Sequence, residues 1–186
     1  MPKRTQIVCL HEGVNNNVDR VFINRLLKKL DLSWIRPYKT GDVRLVCGGG
    51  RNDDQLYRVF VDELRKCSAA GGNTTLIVLS DVDDLDSPNA LQTIFDNKAR
   101  EAGLSCALDK VVYIFPKNRI ENWFEYLLNG STNESQEGRR RDNEKAREAA
   151  EILAQKCTQK QRDPQMPPSL KWSCEQWNKL TTRMKG

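Results

Sequence analysis

Apolar residues fall in two alternating patterns along this chain, short unbroken runs and longer stretches at helical spacing, which predict strands and amphipathic helices in turn. Gln6 to Leu10 (QIVCL) is the first predicted strand. After an asparagine-rich turn, Asp19 stands at the cap of a helix whose Val21, Phe22, Leu26, Leu27 and Leu30 share one face. Trp34 to Thr40, broken by Pro37, is a connection. Val43 to Cys47 (VRLVC) is a second strand and stops at the glycines Gly48 to Gly50. A helix then runs from Asn52 or Asp53 to Cys67, and Thr74 to Ser80 (TTLIVLS) comes next as a strand whose β-branched, apolar make-up suits burial on both faces.

Ser87 and Pro88 open a helix to Ala102, with proline suited to its first turn. Lys110 to Phe115 is a fourth strand, and Ile120 to Leu128 a short helix. Strands separated by helices imply parallel pairing through right-handed crossovers and a sheet covered on both faces. The expected fold is therefore α/β, a Rossmannoid, mainly parallel sheet of about four strands with helices on both faces. The polar stretch Asn129 to Gly138 closes this core, giving an α/β domain over 1–130 and a basic helical extension over 131–186. In the extension, Arg139 to Cys157 and Cys174 to Met184 are predicted helices, joined by a linker with Pro164, Pro167 and Pro168.

A length of 186 residues allows one ordinary core with an appendage. The apolar runs are too short to span a bilayer, and the N-terminal stretch lacks the form of a secretory signal. Six cysteines without a C-x-x-C pair argue against zinc or disulfide frameworks and suit a reducing, cytoplasmic setting. Residues 1–138 hold 18 basic and 19 acidic side chains, a net of −1, whereas 139–186 hold 12 and 6, a net of +6. That uneven charge suits a polyanionic partner such as nucleic acid, and equally a solvated helical surface.

Candidate chemistry gathers after the strands, where functional groups of parallel sheets sit. Glu12 follows the first strand in CLHEG, and the third strand runs straight into DVDDLD, with Asp81, Asp83, Asp84 and Asp86. So many neighbouring carboxylates repel one another unless a cation or good solvation offsets them, and the two-residue spacing of Asp81 and Asp83 can point both at one ion. An acidic turn in which Asp86 or Ser87 caps the next helix accounts for Asp86 but poorly for Asp81. Glu121 lies just past the fourth strand, where a helix N-terminus favours an acid in any case. Lys117 and Arg119 flank it and could hold a scissile phosphate. His11 adjoins Glu12 but by strand alternation points to the opposite side, in a satisfied structural role. The segment GGGRNDD lacks a P-loop ending and reads as a flexible turn, with Arg51 at its exit a candidate phosphate contact. Trp172 and Trp177, with Lys171, Lys179, Arg183 and Lys185 around them, could stack on bases, but core or interface packing is commoner for tryptophan, and docking onto a partner or a second copy ranks above base stacking.

An E-G step after the first strand, a D-x-D after a later apolar strand and an I-E-x-W step after the next resemble the TOPRIM domain over roughly residues 5 to 130. The chain is similar in particular to small stand-alone TOPRIM-like proteins of bacterial defence systems, relatives of the overcoming-lysogenization-defect nucleases. The resemblance implies that Glu12, Asp81 and Asp83 ligate Mg²⁺ or Mn²⁺ and that Glu121 serves the second ion or the water. Asp19 matches an aspartate that comes after the E-G step, here at longer spacing across VNNNV. The D-x-D continues into Asp84 and Leu85 without the glycine of topoisomerases and primases, which turns the likeness toward the nuclease branch. The resemblance thus implies a metal-dependent nuclease acting on DNA or RNA, an anti-phage effector restrained by a regulatory partner such as a sensor ATPase. A non-catalytic TOPRIM-like subunit that binds a protein or nucleic acid is the alternative. A flavodoxin-like receiver domain fits less well, since its acidic pair should stand after the first strand, where this chain has His11 and Glu12.

Overall fold

A computed structural model describes residues 6–13, 18–29, 43–49, 53–70, 74–158 and 163–185. The predicted connection at 34–40, the asparagines at 15–17, Gly50 and Arg51 lie outside the described residues, as do the side chains of Leu180, Arg183 and Lys185. The strands are β1 (Gln6–His11), β2 (Val43–Cys47), β3 (Thr74–Leu79) and β4 (Val111–Ile114). The helices are α1 (Val18–Lys29), α2 (Asp53–Ala69), α3 (Pro88–Glu101), α4 (Ile120–Asn129), α5 (Asn143–Thr158) and α6 (Pro168–Lys185).

The four strands form one all-parallel sheet in the order β2-β1-β3-β4, the α/β arrangement anticipated from the alternating pattern. Alternation along each strand divides the core into two layers. Ile7, Cys9, Ile77, Leu79, Val112 and Ile114 turn toward α1, α4 and α5. Val8, Leu10, Leu76, Val78, Val111 and Tyr113 turn toward α2 and α3. A 3₁₀ segment at Ser105–Lys110, which the periodicity did not signal, feeds β4. Ser87 caps α3, its hydroxyl accepting from Ala90 N at 3.3 Å, so the cap falls to Ser87 and not to Asp86.

The extension packs closely on the α/β core. Its narrow stripe of Ala146, Ala149, Ala150, Leu153 and Ala154 is buried against α1 and α4, small side chains allowing close helix approach. α6 begins at Pro168, earlier than the apolar spacing suggests, because proline suits the first helical turn. It covers the outer edge of β4: Phe115 N donates to Ser173 Oγ at 3.0 Å and Lys117 N to Ser169 Oγ at 3.2 Å. Two serines one helical turn apart thus occupy donors that an open edge strand would leave for another chain. Trp172 stacks on Phe115 with centroids 5.6 Å apart and donates to Asn89 Oδ1 at 2.9 Å. Trp177 is buried in the α1 layer. Both indoles therefore pack within their own chain, the commoner role for tryptophan, Trp172 on Phe115 and Trp177 in the α1 layer.

Candidate functional site

β1 and β3 lie side by side, with His11 opposite Leu79, so the residues just past them emerge together at one sheet end. Their pairing continues one step further, Glu12 N donating to Leu79 O at 3.1 Å. β3 likewise keeps its neighbour past its nominal end, with Ser80 N on Ile114 O at 3.2 Å and Val82 N on Pro116 O at 2.7 Å. Val82 is fully buried in the α2 layer, beside the even-numbered Leu76 and Val78. Asp81, between Ser80 and Val82, is thereby turned to the opposite side, toward α1 and α4.

The Glu12 carboxylate is held in place by the chain just past β3. Its Oε2 accepts from Ser80 Oγ at 2.8 Å and from Asp81 N at 3.1 Å. Sixty-nine residues of separation in sequence are closed to a single hydrogen bond. Gly48 makes a close approach possible on the other flank: its N donates to His11 O at 2.8 Å, and a Cβ there would stand 2.5 Å from Leu56 Cδ1 and 3.1 Å from His11 O. The first glycine of the triplet is thus a packing requirement beside β1, where a flexible turn was expected.

Asp81 is partly buried, and its carboxyl is pushed well above the usual range, first by burial and then by the charges of Asp19, Glu12, Asp83 and Glu121. Every acidic residue proposed for the site therefore acts on it. Asp19 reaches it from the first turn of α1, and its charge ranks ahead of the other three. Asp83, Asp84 and Asp86 are exposed. Glu121, in the first turn of α4, is buried, and burial raises its pKa against the opposing pull of its own backbone N–H, Arg119 and Arg140.

Two expected cations have other employment. Lys117 Nζ donates to the carbonyls of Leu85 and, at 3.2 Å, Asp83, so it staples the acidic loop where a phosphate contact was expected. Arg119 forms an ion pair with Glu137. His11 is fully buried, as alternation required, but neither ring nitrogen finds a hydrogen-bond partner among the described residues. Its pKa is lowered to about 4 by burial and then by Arg20, with a weak approach of the Gly13 backbone acting in the opposite sense. The satisfied role expected of it is not what the structure shows.

All the donors here are hard oxygens, the chemistry Mg²⁺ and Mn²⁺ take. Among the described residues, no three acidic, cysteine or histidine side chains are grouped closely enough to enclose an ion by themselves. Magnesium commonly takes one or two carboxylates, with water and substrate phosphate completing its shell, so an open pair suffices. A cation beside Asp81 would relieve the charge conflict there.

Ser80 was missed by sequence reasoning, because a serine ending a strand carries no signal of its own. The arginines after Gly138 were read only as part of a basic tail. Comparison of the chain with family models, with curated proteins and with solved structures finds no match in any of the three. No helix among the described residues is long and apolar enough to cross a membrane.

Proposed function

We propose that this chain is a divalent-metal-dependent, TOPRIM-like nuclease hydrolysing phosphodiester bonds in DNA or RNA. The observation that carries the reading is the Glu12 carboxylate bound to the Asp81 amide at the joint end of β1 and β3, with Asp81 under the charge of Glu12 and three further carboxylates. Glu12 and Asp81 would hold the ion, with Asp83 and Glu121 at its margin. When bound, Mg²⁺ or Mn²⁺ supplies a polarised phosphoryl oxygen and an acidified water.

The protein's own part is placement. Ser80 fixes one oxygen of Glu12, buried Val82 fixes the direction of Asp81, and Lys117 holds the loop that carries Asp83. Lys117 is accordingly a positioning residue in this reading. A non-catalytic binding subunit is the second reading, favoured by the lack of an enclosed three-ligand group among the described residues and by the engagement of Lys117.

Incubation of plasmid DNA and total RNA with the purified chain in Mg²⁺ or Mn²⁺ separates the two. The nuclease reading expects cleavage that chelation abolishes and that Glu12→Gln and Asp81→Asn each reduce by about 10²-fold or more while the fold persists. Folded protein that cleaves neither polymer, or variants as active as the parent, would overturn it.

A further inference from the structure

Between α4 and α5 the chain carries three consecutive arginines, Arg139, Arg140 and Arg141. The preceding loop delivers them to the carboxylate end of the sheet. It leaves α4 at Gly130 in the left-handed region (φ 87°) and doubles back across the first turn of the same helix. The Asn122 side chain fastens the return, its Nδ2 donating to Lys117 O at 3.1 Å and Gln136 O at 2.9 Å while its Oδ1 accepts from Thr132 Oγ1 at 3.2 Å. The Arg119–Glu137 ion pair and an Asn118 Nδ2 bond to Glu134 O at 2.5 Å add further ties.

Gly138 is where the loop touches. A Cβ there would lie 2.7 Å from Asn122 N and 2.9 Å from Glu121 C, both backbone atoms that cannot give way, so only glycine lets the chain come this near. The arginines begin at the next residue. Among the described residues, Arg139 and Arg140 are exposed and form no ion pair, and the buried Nε of Arg141 has no hydrogen-bond partner. Arg140 is close enough for its charge to act on the Glu121 carboxyl.

We infer that Arg139 and Arg140, backed by Arg141, are a contact for the phosphate backbone of a nucleic acid strand lying across the carboxylate site. The inference rests on the nuclease reading for the identity of the strand. Guanidinium groups present paired donors that match phosphate oxygens, and two adjacent ones suit a polymer with successive charges. An isolated acidic ligand would need only the arginines. A polyphosphate backbone can engage them and still continue past the first turn of α4 toward Glu12 and Asp81, where a bound cation would take the next charge. Contacts of this kind position a strand without reading its sequence.

The test is binding of labelled DNA and RNA oligonucleotides to the full chain carrying Asp81→Asn, measured by fluorescence anisotropy across a salt series. Adding R139A and R140A together is expected to weaken binding at least tenfold. It is also expected to lower the slope of log affinity against log salt by about one and a half, the change for two phosphates no longer neutralised. Lys171→Ala with Lys179→Ala, on exposed positions of α6, is expected to change neither. Unchanged affinity and slope in the arginine variant, equal losses in the lysine variant, or no binding by the parent would each overturn the inference. Arginine-dependent binding, together with a chain that keeps Asp81 and yet cleaves nothing in Mg²⁺ or Mn²⁺, would instead sink the nuclease reading and leave this contact standing.

Discussion

At the scale of single residues the site is a balance of burial against charge. Asp81 is the sharpest case, since burial and four neighbouring carboxylates all favour its protonated form. A folded-state pKa above the unfolded one gives stability that is present at low pH and lost as pH rises through the folded value. In metal-free buffer at neutral pH, Asp81→Asn is therefore expected to raise the melting temperature, by about 2–4 °C for each kcal/mol recovered. Adding Mg²⁺ or Mn²⁺ is expected to raise that of the parent and leave that of the variant unmoved. Thermal scans with and without cation check both, and a variant that melts lower or responds equally to cation contradicts the account. His11 works in the other direction. Its pKa of about 4 lies below the ordinary imidazole value, so the unfolded chain takes up the proton first and stability falls as pH drops from about 6.5 toward 4. His11→Leu is expected to lose less stability than the parent between those limits in urea titrations, and equal losses would contradict it.

At the scale of elements, what was legible in the sequence was whatever depends on local pattern. The unbroken run TTLIVL announced a doubly buried β3, and Ser87 with Pro88 announced the start of α3, because both are decided within a few residues. That the chain past β1 would meet the chain past β3 was legible too, through the rule that parallel strands present their following loops at one edge, and Glu12 does reach the Asp81 amide. The roles of Lys117, Ser80, Trp172 and Gly138 were not, because each is fixed by an element distant in the chain. Ser169 shows why this matters. Its hydroxyl receives Lys117 N and, at 2.8 Å, Trp123 Nε1, and it donates to the Glu134 carboxylate. Ser169→Ala would leave buried donors unpaired at a cost of roughly 1–3 kcal/mol each. Urea unfolding of the variant should show a lower midpoint with an unchanged slope, and an unaltered midpoint would mean that α6 does not secure the β4 edge.

At the scale of the whole molecule, Asp81 lies past the end of a parallel sheet under the charges of Asp19, Glu12, Asp83 and Glu121, and the extension closes around that end from two sides. α6 seals the β4 edge and ties down the loop beside it, while the strap before α5 brings Arg139 to Arg141 to the same rim. The extension was read from composition as a basic appendage, and its charge excess was visible there, but composition cannot say which face a segment covers. Metal-dependent cleavage at this end requires a cation shared between Glu12 and Asp81. The most direct measurement is anomalous scattering from crystals of the chain soaked in Mn²⁺. It should give a peak within coordination distance of both carboxylates, lost in Asp81→Asn crystals, whereas no peak at that sheet end, or one bound equally well by the variant, would contradict the account.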